Sequence, residues 1–104
     1  MEKRTYKVTA MQTEDSQLIV KRFFKALQLL KQEKVIGGKL TFTTRYDINR
    51  WNLNTLEKYP DRDIFQPAWL TYLVRDYNIS AHWLLTGEGT VFTNNLKPVN
   101  SADK

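Results

Sequence analysis

The basic side chains of this chain are concentrated in one segment. Residues 21–58 contain nine Lys and Arg residues and three acidic residues, a net charge of +6. The rest of the chain contains seven basic and eight acidic residues, so the whole excess of +5 comes from that segment. A concentrated block of positive charge is typical of proteins that bind polyanions. The alternative is an ordinary solvated surface, because net charge by itself says little about function.

The side chains that perform covalent or metal chemistry are scarce. The sequence has no cysteine and one histidine, His82, which argues against disulfides, metal sites and nucleophilic triads. The close acid pairs, Glu14-Asp15 and Asp61/Asp63, fit the start of a helix and a solvated loop. No phosphate-binding or dinucleotide-binding glycine motif is present in the sequence. We therefore expect no enzymatic activity, no metal and no cofactor, and no small-molecule substrate is evident.

The length and hydropathy of the chain predict one small domain. With 104 residues it can bury a single modest core. No apolar run approaches the roughly 20 residues that span a bilayer, and no secretory signal follows Met1, so we expect a cytoplasmic protein with no membrane partner. We predict an N-terminal arm over residues 1–12, a folded domain over 13–92 and a flexible tail over 93–104.

Hydrophobic spacing predicts a long helix before residues 39–58 and two helices after them. The first begins at Thr13, Asp15 or Ser16 and ends by Gly37-Gly38. A later helix begins at Pro67, and a short one runs from Ser80 to Leu85, closed by Gly87. The predicted buried faces of the two longer helices are Val20, Phe23, Phe24, Leu27 and Leu30, and Trp69, Leu70, Leu73, Val74 and Tyr77.

Residues 39–48 are ambiguous. Leu40, Phe42, Tyr46 and Ile48 fit an alternating strand, and the high threonine content also favours a strand. The same residues fit a helix that buries Phe42 and Tyr46 and ends in a turn before Ile48. A strand here would make the chain a small mixed α/β domain of unknown role.

The helical alternative fits the apolar pattern of a helix-turn-helix, in which two short helices lock together and the second enters the major groove. If Lys39 is the first position of the motif, the buried sites fall on apolar residues and a small residue occupies the point of close helix approach. Asp47 then lies in the turn, where aspartate tolerates the left-handed conformation. The matching positions are Phe42, Thr43, Tyr46, Ile48, Leu53 and Leu56.

The segment Trp83-Leu84-Leu85-Thr86-Gly87-Glu88-Gly89 follows this motif at a suitable distance. Together the two signals resemble the phage-repressor-like (XRE-type, lambda-repressor-like) helix-turn-helix family over about residues 15–89. The resemblance implies an all-α fold of about five helices, with possible short strands at the termini. The chain departs from the family at Asp47, where glycine is usual, at Thr43, and in a longer loop from Glu57 to Pro67.

Within the motif, the outward side chains of the second helix are candidate contacts to DNA. Arg50 can bond guanine, Asn54 can pair with adenine, and Trp51 can pack on thymine methyl groups. An ordinary solvated face is the alternative, and for Trp51 it is core packing or a dimer contact. We predict base contacts from Asn49, Arg50, Trp51, Asn54 and Thr55, and phosphate contacts from Lys39, Arg45 and Lys58.

The sequence thus predicts a sequence-specific DNA-binding regulator, a repressor of phage or mobile-element type, whose partner is double-stranded DNA. A homodimer is expected, because paired recognition helices read sites about 34 Å apart. Strand-like segments 5–10 and 90–94 are candidates for the dimer contact. The alternative is a protein-interaction module on the same fold, such as an antitoxin or adaptor, that does not read bases.

Overall fold

In the computed structural model, residues 12–93 form a bundle of five α-helices, and the structural description is confined to these residues. The predicted arm and tail, including the strand-like segment 5–10, therefore lie outside the described residues except for Gln12 and Thr93. The expectation of an all-α fold is confirmed. The helices are α1 (Glu14–Gln32), α2 (Lys39–Tyr46), α3 (Arg50–Lys58), α4 (Ala68–Tyr77) and α5 (Ala81–Thr86).

Thr13, one of the three candidate caps, is the residue that caps α1. The hydroxyl of Thr13 accepts a hydrogen bond from the Ser16 N–H at 3.2 Å, which satisfies one of the free donors of the first turn. The predicted inner face is buried with the addition of Ala26, whereas Phe24 is half-buried at its edge. The helix ends before the glycine pair, because Lys34 already adopts a left-handed conformation with φ 64°.

Residues 39–46 form a helix, so the strand alternative is wrong. The aromatic rings of Phe42 and Tyr46 have a packing surface in the bundle, and this tertiary contact outweighs the local preference of threonine for strands. Phe42 and Thr43 are buried as the motif requires, and the Thr43 hydroxyl donates to the Leu40 carbonyl at 3.1 Å. Tyr46 and Ile48 are half-buried rather than fully buried.

The turn between α2 and α3 has the predicted geometry. Asp47 is left-handed, with φ 55° and ψ 47°, and its N–H donates to the Thr43 carbonyl. The Asn49 side chain then caps α3 by accepting from the Asn52 N–H at 2.9 Å. Two short helices are therefore joined by only three residues, which fixes the direction in which α3 leaves the bundle.

α4 and α5 complete the bundle. Pro67 precedes α4 as its cap residue, one position earlier than predicted. Asn78 ends the helix in the left-handed conformation, which asparagine tolerates better than most residues. Ser80 caps α5 by accepting from the Trp83 N–H at 3.1 Å. Of the predicted segment 90–94, Phe92 forms an isolated antiparallel bridge with Ile79, and no strand is present within residues 12–93.

The core lies where α1 meets the other helices. Phe23 is its centre: the ring is fully buried and packs edge-on against three aromatic rings. Each large apolar side chain buried there contributes about 1.5–3 kcal/mol relative to an exposed one. The buried apolar residues are Val20, Phe23, Ala26, Leu27, Leu30, Ile36, Phe42, Leu53, Leu56, Trp69, Leu73, Tyr77, Ile79 and Leu84.

The closing segment Trp83–Gly89 is attached to α1 by an arginine. Arg22 donates from Nε to the Leu84 carbonyl at 2.7 Å and from Nη2 to the Leu85 carbonyl at 3.0 Å. Gly87 ends α5 with φ 80°, and a Cβ there would lie 3.1 Å from Arg22 Nη1. Glycine is therefore needed both for the backbone conformation and for the approach of the guanidinium.

Candidate nucleic-acid interface

α3 has one buried side and one exposed side. Leu53 and Leu56 are fully buried, so they anchor the helix to the bundle. The predicted base-contacting residues lie on the other side. Asn49, Arg50, Trp51 and Asn54 are exposed, as is Lys58, whereas Thr55 is half-buried at the margin. The structure thus brings the outward side chains of α3 onto one accessible face.

Trp51 is the most unusual member of this face. Its side chain is 79% exposed, the largest value among the exposed large hydrophobic residues of the described chain. The alternative that Trp51 packs in the core is therefore wrong. An exposed tryptophan in the first turn of α3, next to Arg50 in the chain, offers a large flat apolar surface that suits contact with a base, a sugar edge or a partner protein.

Asn49 has a structural role in addition to its predicted one. Its side-chain carbonyl is used to cap α3, so only its amide group is left to donate to a ligand. Arg50 and Asn54 make no side-chain hydrogen bond or ion pair within residues 12–93. Their donors and acceptors therefore face solvent and are available to base edges.

The three predicted phosphate ligands have different surroundings. Lys58 is exposed, with its ammonium 5.8 Å from the centre of the Tyr59 ring. Lys39 is half-buried and forms an ion pair with Glu57, which links the start of α2 to the end of α3. Arg45 is the least available of the three, because its guanidinium contacts a cluster of polar side chains around a buried carboxylate at the end of α2. The structure therefore leaves Lys58 as the most available of the three charges.

That cluster is centred on Asp76, the one buried charged residue in the described part of the chain. Arg75 donates to both carboxylate oxygens at 2.9 Å, and the Tyr46 hydroxyl donates to Oδ2 at 2.6 Å. Arg45 approaches the same oxygen at 3.7 Å and lies over the rings of Tyr46 and Tyr77. We name these residues, with Tyr72 stacked on Tyr46 at 4.1 Å, the Asp76 cluster.

The protonation of the cluster follows from its hydrogen bonds. The hydrogen bond from Arg75 lowers the pKa of Asp76 to about 2, against the opposing effect of burial and with further help from Tyr46. Burial and the hydrogen bond to Asp76 raise the pKa of Tyr46 above its ordinary value. At neutral pH Asp76 is therefore ionised and Tyr46 is a neutral donor, which ties the end of α2 to α4.

Sequence reasoning did not identify Asp76. A signal was present, because Trp69, Leu73 and Asp76 follow the i, i+4, i+7 spacing of the buried face of α4. An acidic residue on a buried face requires a basic or hydrogen-bonding partner. The neighbouring Arg75 supplies one partner, but Tyr46 and Arg45 come from a helix 30 residues away, and no local pattern could connect them.

No family model matches the chain, and no curated protein and no solved structure matches it. Within residues 12–93, no group of three His, Cys, Asp or Glu side chains is arranged to hold a metal ion. None of the helices in that range combines the length and the apolar character needed to cross a membrane. The features of the molecule that bear on its function are the geometry of α2 and α3 and the charged side chains around them.

Proposed function

We propose that this chain is a sequence-specific DNA-binding transcriptional regulator, acting as a repressor of phage or mobile-element type. The observation that carries the proposal is the short α2–turn–α3 unit, in which Leu53 and Leu56 hold α3 on the bundle while Arg50 and Asn54 face solvent. This arrangement is what a recognition helix requires to place base-reading side chains in a major groove.

The chemistry of the exposed face supports base recognition. Arginine can make a bidentate contact to guanine O6 and N7, and asparagine can do so to adenine N6 and N7. Each such pair contributes about 1–3 kcal/mol of discrimination against the wrong base. Trp51 adds apolar contact to a thymine methyl group or a sugar, and Lys58 supplies a phosphate contact that helps to fix the register.

Two copies acting together would explain how the few exposed side chains of α3 select one DNA site. We propose a homodimer on a two-fold symmetric operator, with recognition helices about 34 Å apart. Repression then follows from occlusion of the promoter that contains the operator. A palindromic consensus with half-sites one helical turn apart is the expected signature, and a single half-site would argue for a monomer.

The decisive experiment is selection of bound sequences from randomised duplex DNA, followed by fluorescence-anisotropy titration at several salt concentrations. The wild type is compared with Arg50→Ala/Asn54→Ala. The matched control is Arg62→Ala/Gln66→Ala, which removes the same two kinds of side chain from exposed positions outside α3. We expect the control to select the wild-type consensus and the α3 variant to lose it.

A second candidate function is a protein-interaction module on the same fold, favoured by the 79% exposure of Trp51. Exposed tryptophans are frequent anchors of protein interfaces. Weak DNA binding with no enriched sequence, unchanged in the Arg50→Ala/Asn54→Ala variant, would favour this alternative. A steep fall of DNA affinity with salt would argue against it, because each phosphate contact releases counterions.

A further inference from the structure

A groove on the outer side of α1 is distinct from the exposed face of α3. It has a volume of about 440 Å³ and lies between α1, the first residue of α2 and the penultimate residue of α3. Four lysines line it, with Phe24 as part of its apolar floor and a single acidic residue, Glu57. We name it the lysine groove, after Lys21, Lys25, Lys31 and Lys39.

The positive charge of the lysine groove is largely uncompensated. Glu57 is committed to the ion pair with Lys39. Lys21, Lys25 and Lys31 form no ion pair within residues 12–93 and are exposed. Three like charges held on one helix face repel one another, so an anionic ligand that lies across them gains attraction from all three.

The spacing of these lysines indicates an extended ligand. Lys21 and Lys31 are ten residues apart on α1, a rise of about 15 Å along the helix. A single small anion cannot contact both ends of such a row. One strand of duplex DNA carries a phosphate for every 3.4 Å of its axis, so about four phosphates occupy that length. Lysine binds phosphate as a flexible point charge and needs no fixed geometry.

The position of the groove favours DNA over another polyanion. Its edge is formed by Lys39 and Glu57, which belong to the two helices of the helix-turn-helix, and Lys58 follows directly on α3. A duplex that holds α3 in its major groove is rigid, so its backbone runs past the ends of that helix. The groove begins where α3 ends, next to the path of that backbone.

We propose that the lysine groove is a second DNA contact, which binds the phosphate backbone beside the bases that α3 reads. This inference rests on the proposed DNA-binding function and extends it. The groove adds affinity and footprint length but no base specificity, because its ligands are phosphates. Removal of its lysines therefore weakens binding to every sequence by a similar factor.

The test compares Lys21→Gln, Lys25→Gln and the double variant with Lys34→Gln, all titrated on the selected operator from 50 to 200 mM salt. Lys34 is the matched control, because it lies just beyond α1 and does not line the groove. Each lost phosphate contact lowers the slope of log affinity against log salt by about 0.9. The affinity advantage of the wild type over the double variant should then shrink about tenfold across that range.

Two further measurements make the outcomes distinct. Sequence selection with the double variant should return the wild-type consensus, and ethylation of phosphates outside the selected bases should no longer interfere with its binding. If the wild type reads a consensus but the groove variants behave like Lys34→Gln, the groove inference is overturned and the proposed function stands. If the wild type selects no sequence and shows no salt dependence, both are overturned.

Discussion

The two ends of α2 hold positive charge in different ways. At its C-terminal end, Arg45 and Arg75 contact the buried Asp76 and lie over tyrosine rings. At its N-terminal end, the groove lysines of α1 have no carboxylate partner within residues 12–93. The first arrangement fixes helices to one another, and the second leaves charge for a ligand. We therefore expect the presence or absence of a carboxylate partner to separate structural basic residues from ligand-binding ones better than net charge does.

Loss of Asp76 should have the largest effect on folding. We expect Asp76→Ala to lower the free energy of unfolding by about 3 kcal/mol, because it removes the acceptor of Tyr46 and leaves Arg45 and Arg75 without their shared carboxylate. Urea titration at neutral pH measures the change. Asp61→Ala, in the loop after α3, is the control and should change stability by less than about 0.5 kcal/mol.

Equal stability of the two aspartate variants would contradict a structural role for the Asp76 cluster.

Acid should weaken the Asp76 cluster. The pKa of Asp76 is lowered in the folded protein from 3.8 to about 2, so the carboxylate contributes stability above pH 4 that is lost as pH falls towards 2. The contribution is about 2 kcal/mol. Urea titrations of wild type and Asp76→Asn between pH 6 and 2 measure it.

The difference in unfolding free energy between wild type and Asp76→Asn should be constant above pH 5 and should narrow below pH 4. Acid also protonates other carboxylates, so both proteins lose stability, and only the difference between them reports on Asp76. A difference that stays constant down to pH 2 would mean that the Asp76 carboxylate is no better stabilised in the folded protein than in the unfolded chain.

The local elements of the fold were predictable from the sequence because their determinants are close together in the chain. Thr13 was identified as one of three candidate caps, Ser80 as the start of α5, and Asp47 and Gly87 as positions where a helix ends, from residue type and spacing alone. Each cap or turn depends on the backbone within about four residues. Most of the buried faces of α1 and α4 followed from periodicity for the same reason, although Leu70 and Val74 of α4 are half-buried.

Long-range pairings were not predictable in the same way. The propensity of residues 39–48 favoured a strand, and only the core contacts of Phe42 decide for a helix. The exposed side of α3 was predicted correctly except for Thr55, which is half-buried. The ion pairs of Arg45 with Asp76 and of Lys39 with Glu57 were not predicted, because they join residues 31 and 18 positions apart. Such pairs depend on how the helices pack, which no local pattern encodes.

Removal of the Tyr46 hydroxyl alone tests the Asp76 cluster with a smaller structural change than removal of the Asp76 carboxylate. Tyr46→Phe should lower the free energy of unfolding by about 1.5 kcal/mol, because the hydroxyl donates to a buried carboxylate while the ring stack on Tyr72 remains. Tyr59→Phe is the control, since Tyr59 is exposed. Chemical denaturation of both variants at pH 7 gives the comparison, and equal stabilities would mean that the Tyr46 hydroxyl contributes nothing.

The smallest expected effects concern Arg45 and Lys58, two residues that the sequence predicted to have the same role. Arg45 and Lys58 were both predicted to bind phosphate, yet the structure places the Arg45 guanidinium 5.1 Å from the centre of the Tyr46 ring and leaves Lys58 exposed. We expect Lys58→Gln to lower the salt slope of operator binding by about 0.9 with little change in stability.

Arg45→Gln should do the reverse. It should leave the salt slope unchanged and lower the free energy of unfolding by about 0.5–1 kcal/mol, the usual contribution of a cation over an aromatic ring. The two variants remove the same charge from neighbouring helices, so a general loss of electrostatic attraction affects both equally. If Arg45→Gln lowers the slope as much as Lys58→Gln does, the guanidinium leaves Asp76 to bind phosphate. The partner of a basic residue in the free protein would then be a poor guide to its role on DNA.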